Sequence, residues 1–125
     1  MRYDAVIFDL FGTLVHTVSP SVYAGMLGEL ATILGVPADA FTIQWRATID
    51  ERESGLLGGT EEILAATASA VGRQPSAAEV TSASDRWQAI VGDWLVPRDN
   101  TIATVQAFRE VGSKVALLSN CSAEV

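Results

Sequence analysis

Two short apolar segments lie near the ends of the chain, and helical periodicity fills the sequence between them. Residues 5–8 read AVIF and residues 115–118 read VALL, and each run is too short for a helix. Continuous apolar runs of this length are typical of strands that are buried on both faces of a parallel sheet. The pattern therefore predicts two parallel strands, each covered on both faces.

Between these runs, apolar residues recur every three or four positions and predict five helices. Their ends carry recognisable signals. Ser19 and Pro20 suit the start of the first helix, which Gly35 ends, and Ser76 with Glu79 forms a capping box for the fourth. The remaining predicted starts are Asp39 for a helix reaching Gly55, Thr60 for a helix ending near Gly72, and Asp99-Asn100 for a helix closed by Gly112.

The number of helices predicts an α/β fold with a long insertion. Two parallel strands need a single crossover, and the fifth helix, which begins at Asn100, supplies it. The four earlier helices are surplus and form an insertion that leaves after Asp9 and returns near Pro97. We therefore expect an α/β core from residues 1–16 and 98–125, with a helical insertion of residues 17–97 above the carboxyl ends of the strands, like a lid.

Composition narrows the class of protein. The 125 residues suffice for one domain, and the net charge is −7 with Lys114 as the single lysine, which disfavours nucleic-acid binding. No apolar run is long enough to span a bilayer, and no signal peptide is recognisable, so we expect no membrane partner. The single cysteine, Cys121, has no partner for an internal disulfide. A cytoplasmic protein is the prediction from these features.

Candidate chemistry begins where the first strand ends. Asp9 follows the apolar run directly, and Gly12 and Thr13 come three and four residues later. Open α/β sheets bind ligands at the carboxyl ends of their strands, where Gly12 permits a sharp turn and Thr13 adds a hydroxyl donor. Taken alone, an Asp-x-x-Gly string also fits an aspartate that simply caps the next turn.

The longer string around Asp9 resembles the first motif of the haloacid dehalogenase (HAD) superfamily. That motif is a hydrophobic strand, an Asp, two further residues and Gly-Thr-Leu, and residues 9–14 here read DLFGTL. Residues 115–120, VALLSN, are similar to the second motif, a hydrophobic strand ending in Ser or Thr and often followed by Asn. A strand that ends in a Ser-Asn turn is frequent in any fold, so the second motif gains weight from the first.

The resemblance implies the N-terminal part of a Rossmann-like core with an inserted α-helical cap, and it implies covalent catalysis. Asp9 would attack a small anionic substrate and form an aspartyl ester, which water then hydrolyses. Ser119 and Thr13 would orient the substrate. Backbone N–H groups near Phe11 and Asn120 would help to hold its anionic group.

Phe11 bears on the choice of substrate. Phosphatases of the family usually carry a second Asp at this position, which protonates the leaving group. Phe11 has no proton to give, whereas a halide needs none, and family dehalogenases carry an aromatic residue here. The resemblance therefore favours dehalogenase-like chemistry on a 2-haloacid without a cofactor. The alternative is a phosphatase of small metabolites that uses Mg²⁺, with Asp9 as a metal ligand.

Two arginines of the second predicted helix are candidate substrate-binding residues. Trp45-Arg46 resembles a Trp-Arg pair in dehalogenase caps, where the arginine binds a carboxylate or halide. Arg52 shares a stripe with Phe41 and Trp45 and could point into the site. Either arginine could equally be a solvated or ion-paired surface residue.

The third and fourth motifs of the family, a Lys and an acidic group, have no counterpart in this sequence. From this we expect the chain to be the N-terminal part of a longer protein or one half of an assembly. Exposed apolar surface on the second strand would then lead to association with the missing half or with another copy. A non-catalytic fragment that acts through binding is the alternative of another class. A receiver-like signalling domain is disfavoured by the long insertion and by Gly12-Thr13.

Overall fold

The computed structural model describes residues 3–119, which separate into two compact units. Residues 3–18 and 92–119 form the α/β unit, and residues 19–91 form the helical unit. In chain order the elements are β1 (Ala5–Phe8), α1 (Pro20–Leu34), α2 (Ala38–Ala47), α3 (Ile49–Glu53), α4 (Thr60–Ala70), α5 (Ala77–Trp94), α6 (Thr101–Glu110) and β2 (Lys114–Leu117).

The α/β unit is built on two parallel strands and a crossover helix. β1 pairs with β2 in a register that sets Ala5 opposite Lys114 and Phe8 opposite Leu117. α6 packs on one face of this sheet, where the rings of Phe8 and Phe108 meet edge to face with centroids 5.9 Å apart. The described residues therefore form a mixed helix and strand fold with a small parallel sheet, as the sequence predicts.

The expectation that both strands are buried on both faces is wrong. Ile7 is 63% exposed and Leu117 is 56% exposed, while Val6 and Phe8 are half-buried. Successive side chains of a strand point to opposite faces, and α6 packs against the face that carries Phe8. Within residues 3–119 the sheet has two strands, so the opposite face, which carries Ile7, stays open. Leu117 pairs with Phe8 and is exposed although it shares the face on which α6 packs.

The second strand begins one residue earlier than predicted, because the N–H of Lys114 donates to the carbonyl of Asp4. This bond extends the ladder at its amino end. At its carboxyl end the N–H of Leu118 donates to the carbonyl of Phe8 at 2.8 Å.

Three aromatic rings form the centre of the helical unit. Phe41 and Trp45 are fully buried and stack with centroids 5.8 Å apart, and Trp45 lies 5.4 Å from Trp87. The indole N–H of Trp45 donates to the hydroxyl of Tyr23 at 2.9 Å, so its polar group is satisfied. α5 turns one apolar face inward and buries Val80, Ala83, Trp87, Ile90 and Val91.

Both ends of α1 and the start of α5 are where the sequence predicts them. Ser19 caps α1 by accepting the N–H of Val22, and Gly35 ends that helix in the left-handed conformation with φ of 67°. At α5, Glu79 accepts the N–H of Ser76 at 2.8 Å and the Ser76 hydroxyl accepts the N–H of Glu79 at 3.3 Å. The predicted capping box is confirmed.

Other predicted ends are wrong. The second predicted helix is divided into α2 and α3 at Thr48, whose hydroxyl donates to the carbonyls of Gln44 and Trp45 and competes with the helical ladder. Pro37, not Asp39, is the N-cap of α2. Gly59, not Thr60, is the N-cap of α4, because the Glu62 carboxylate reaches back to the Gly59 N–H.

The start of α6 is only partly as predicted. Asn100 is its N-cap residue, but it makes no side-chain cap hydrogen bond and has a positive φ of 65°. Among residues 3–119 no single helix is long and apolar enough to cross a membrane. α1 and α2 reach the required length and composition only as a pair, across a bend of 113°.

Candidate active site

Asp9 stands directly after β1, at the carboxyl end of the parallel sheet. Its side chain is exposed, and the hydroxyl of Thr13 donates to its Oδ2 over 3.4 Å. That distance is at the long end for an O–H···O bond, so the hydroxyl orients the carboxylate without binding it tightly. A carboxylate in this position is accessible to a ligand that binds at the strand ends.

A tight loop after Asp9 brings Thr13, four residues later in sequence, next to the Asp9 side chain. The carbonyl of Leu10 accepts the N–H groups of Thr13, Leu14 and Val15 at 3.2, 2.9 and 3.1 Å. The N–H of Gly12 donates in turn to the carbonyl of Val15 at 2.9 Å. These bonds fold residues 10–15, which we call the Asp9 loop, back on themselves.

Gly12 is required by the backbone of this loop. Its φ is 81°, a conformation that L side chains rarely adopt. A Cβ atom there would also lie 3.1 Å from the Cγ2 atom of Thr17. The sequence prediction of a sharp turn at Gly12 is therefore confirmed.

Ser119 lies at the same end of the sheet as Asp9. β2 ends at Leu117, opposite Phe8, so Asp9 follows one strand by one residue and Ser119 follows the neighbouring strand by two. The Ser119 side chain is half-buried. The carboxyl ends of parallel strands lie at the same end of the sheet, so the structure places the two predicted catalytic residues at that end. Asn120 and Cys121 lie outside the described residues.

Phe11 lies within the Asp9 loop and is half-buried. Its ring has no ionisable proton, so it cannot act as a general acid beside Asp9. The N–H groups of residues 12–15 donate hydrogen bonds to carbonyls within the loop itself. The anion-binding role predicted for N–H groups near Phe11 stays a prediction.

A magnesium ion in this family would need ligands beyond Asp9. Mg²⁺ prefers octahedral oxygen ligation, with one or two carboxylates completed by substrate and water. Within residues 3–119 no group of three or more His, Cys, Asp or Glu side chains is placed to hold a metal ion. The donor set of these residues does not fit a metal site on its own.

The two predicted arginines lie in the helical unit and differ in their surroundings. Arg46, on α2, is exposed. Arg52, on α3, is only 4% exposed; its Nη2 donates to the carbonyl of Trp45 at 3.1 Å and its guanidinium lies 4.2 Å from the Trp45 ring centroid. This arrangement combines a hydrogen bond with a cation–π contact, so Arg52 has a packing role within the helical unit. The substrate-binding roles of both residues stay predictions.

Sequence reasoning missed Arg98 and Thr101, which contact the Asp9 loop. The Arg98 guanidinium donates to the carbonyl of Gly12 at 2.6 Å, and the Thr101 hydroxyl donates to the carbonyl of Leu14 at 2.9 Å. Both residues line an open cavity of about 180 Å³ that Thr13 also lines. No motif marked them, because Arg98 is a lone cation after a proline and Thr101 reads as an ordinary first residue of a helix.

The geometry defines an α/β protein that presents an exposed aspartate at the carboxyl end of a parallel strand, beside a hydroxyl donor. The sequence matches the family model of the haloacid dehalogenase-like hydrolases over residues 3–124, and the chain belongs to that family of hydrolases. The family predicted from the motif at residues 9–14 is confirmed. A search of curated proteins finds no match to this sequence.

Proposed function

We propose that the protein hydrolyses a small anionic substrate through a covalent intermediate on Asp9. The observation that carries the proposal is the exposed Asp9 carboxylate at the carboxyl end of β1, 3.4 Å from the Thr13 hydroxyl. Ser119 follows the adjacent strand at the same edge and supplies a second hydroxyl. An anionic nucleophile flanked by two neutral donors suits displacement followed by hydrolysis of the resulting ester.

Phe11 supports attack at carbon over attack at phosphorus. In dehalogenation, an Asp9 oxygen forms a bond to the carbon that bears the halogen, and the halide leaves with the bonding electron pair. Water then adds to the carboxyl carbon of Asp9, releasing a 2-hydroxy acid, a proton and the free carboxylate. The halide needs no proton to depart, so a phenyl ring two residues after the nucleophile is compatible with this step.

The finer architecture belongs to the same proposal. Residues 19–91 are inserted in the chain between β1 and α6, in keeping with the inserted helical cap of the family. The α/β unit would be the first part of a Rossmann-like core. Arg46 is the exposed arginine of the predicted pair and is the better candidate to bind the carboxylate of the substrate.

A single-turnover reaction in H₂¹⁸O, with enzyme in excess over a 2-haloacid, tests the proposal. Because water attacks the carboxyl carbon of the ester, one ¹⁸O should enter Asp9, and mass spectrometry of the peptide around residue 9 should show a shift of about 2 Da. With a phosphate ester, water would instead attack phosphorus, and the label would appear in inorganic phosphate.

Asp9→Asn is the decisive variant, and Asp4→Asn is its matched control. Asp4 is an exposed carboxylate directly before β1, whereas Asp9 follows the same strand. We expect halide release to fall by about 10⁴-fold or more in Asp9→Asn, since loss of a nucleophile removes most of the rate enhancement, and to change less than about twofold in Asp4→Asn. Equal halide release from the two variants would contradict the dehalogenase proposal. So would an isotope experiment in which ¹⁸O enters inorganic phosphate from a phosphate ester but does not enter Asp9 with a 2-haloacid.

A further inference from the structure

Residues 97–101, which we call the clamp segment, pack against the Asp9 loop and form hydrogen bonds with it. Pro97 forms an antiparallel bridge with Val15. The backbone N–H of Arg98 and the hydroxyl of Thr101 both donate to the carbonyl of Leu14, each at 2.9 Å. The clamp segment is therefore fixed to the loop by contacts that do not depend on the Arg98 side chain.

The Arg98 side chain adds a separate contact closer in sequence to the nucleophile. Its guanidinium donates to the carbonyl of Gly12 at 2.6 Å, a short charge-assisted bond. The other end of the same peptide unit, the N–H of Thr13, donates to the carbonyl of Leu10 at 3.2 Å. The peptide between Gly12 and Thr13 is thus held at its oxygen and at its N–H.

A net change in the backbone dihedrals of Gly12 would move the Thr13 hydroxyl, because the position of Thr13 follows from those dihedrals. Gly12 has the widest choice of backbone conformations of any residue type, so the peptide that follows it is the one most free to rotate in the Asp9 loop. Thr13 lies immediately after it, and its hydroxyl donates to the Asp9 carboxylate over 3.4 Å. A contact that fixes the Gly12 carbonyl therefore also fixes the donor that orients Asp9.

We infer that Arg98 is a positioning residue for the nucleophile, acting through the peptide between Gly12 and Thr13. The inference rests on the proposed role of Asp9. Arg98 is exposed, so its hydrogen bond contributes little to global stability. Its effect is on geometry, because misplacement of a reacting group by about 1 Å can lower a rate by about 100-fold.

The kinetic test compares Arg98→Ala with Arg98→Lys in the full chain. We expect Arg98→Ala to lower kcat for halide release about 10- to 100-fold with KM changed less than about threefold, because the defect lies in the reacting geometry. Millimolar guanidinium should restore part of kcat in Arg98→Ala, and Arg98→Lys should be intermediate. Arg109→Ala, which removes an exposed arginine from the last turn of α6, is the control and should retain wild-type kcat.

A second readout does not depend on turnover. The amide resonances of Gly12 and Thr13 should shift in the NMR spectrum of Arg98→Ala, and guanidinium should move them back, while Arg109→Ala leaves them in place. Unchanged loop resonances in Arg98→Ala would overturn the inference, as would a wild-type kcat. If the wild-type protein releases no halide, the proposed function fails, and the NMR result alone then decides whether Arg98 orders the loop.

Discussion

Phe11 occupies the position where an acidic residue would most change the reaction. The ring is half-buried in the Asp9 loop and carries no ionisable proton. Phe11→Asp would place a carboxyl group two residues from the nucleophile, where it could protonate an alkoxide leaving group. We expect this variant to raise phosphate release from a phosphate ester relative to halide release from a 2-haloacid.

Phe11→Asn is the matched control for this variant, because asparagine has the size of aspartate but no acidic proton. Both activities are measured on each variant under one set of conditions. A higher ratio of phosphate to halide release in the Phe11→Asp variant, but not in the Phe11→Asn variant, would support an acid–base role for this position. Equal ratios in the two variants would show that the ring contributes only its shape.

Gly35 illustrates a residue whose identity is dictated by the backbone. It ends α1 with φ of 67°, and a Cβ atom there would lie 2.9 Å from the Cζ atom of Arg73. We expect Gly35→Ala to lower the free energy of unfolding by about 1–2 kcal/mol, the cost of a left-handed conformation for an L residue. Gly25→Ala, within α1 and with open space around its Cβ position, should instead raise stability by about 0.5–1 kcal/mol. Urea unfolding of both variants checks the pair.

The sequence allowed single residues to be assigned correctly where the local backbone accepts only a few residue types. Ser19, Gly35 and Gly12 could be assigned because a cap or a left-handed turn admits few residue types. Arg98 could not be assigned, because its contact with Gly12 joins residues 86 positions apart and leaves no local signature. The packing role of Arg52 was missed for a related reason: a helical stripe does not distinguish a cation over a buried ring from one in solvent.

At the scale of elements, the first turn of α5 is held by an ion pair with an arginine that precedes the helix. Arg73 contacts Glu79 with Nη2 and Oε1 2.8 Å apart, and it also donates to the carbonyl of Leu34 at the end of α1. Hydrogen bonds from Arg73, followed by those from the N–H and hydroxyl of Ser76, lower the pKa of Glu79 to about 2. One arginine therefore connects the end of α1 with the start of α5.

This lowered pKa predicts a pH dependence of stability. An unfolded chain binds a proton at Glu79 near pH 4.5, whereas the folded chain resists protonation until about pH 2. The stabilisation by Glu79 is therefore fully present above about pH 4.5 and is lost as the pH falls toward 2. Glu79→Gln should flatten this part of the curve of unfolding free energy against pH. Glu29→Gln, which removes the exposed pair with Arg86, is the control, and an equal effect in both variants would contradict the assignment.

The start of α5 followed from the sequence, whereas the break between α2 and α3 did not. The box between Ser76 and Glu79 is complete within one turn, so its sequence pattern suffices. The division at Thr48 required knowledge of which way its hydroxyl turns, and the pattern of apolar residues continues through it. The exposure of Ile7 depends on what covers a sheet face, a property of tertiary packing that an apolar run of four residues does not contain.

At the scale of the whole molecule, the sheet face opposite α6 exposes apolar side chains. Ile7, on that face, is 63% exposed, and Leu118, which follows β2 directly, is 70% exposed. Association with another copy or with a further part of the protein, predicted from the sequence, stays a prediction. We expect the chain to elute above its monomer mass in size-exclusion chromatography with light scattering, and Leu118→Lys to reduce this association.

Leu56→Lys is the matched control, because Leu56 is 78% exposed and lies in the helical unit, away from the strands in sequence. Both substitutions add the same charge. A compact, stable monomer in the unsubstituted chain would contradict the prediction. An equal reduction by both substitutions would show that net charge, rather than the sheet face, governs association.

The pairing of Val15 with Pro97 has a consequence for how the sequence of this chain can diverge in evolution. The chain leaves the α/β unit and returns to it through two neighbouring antiparallel positions, and the Arg98 N–H donates to the Leu14 carbonyl beside them. We therefore expect changes in the length or sequence of the intervening chain to leave this pairing, and with it the path of β1 and α6, in place. On this view the segment between Val15 and Pro97 is the part of the chain that can diverge most during evolution, while Asp9 and the Asp9 loop are retained.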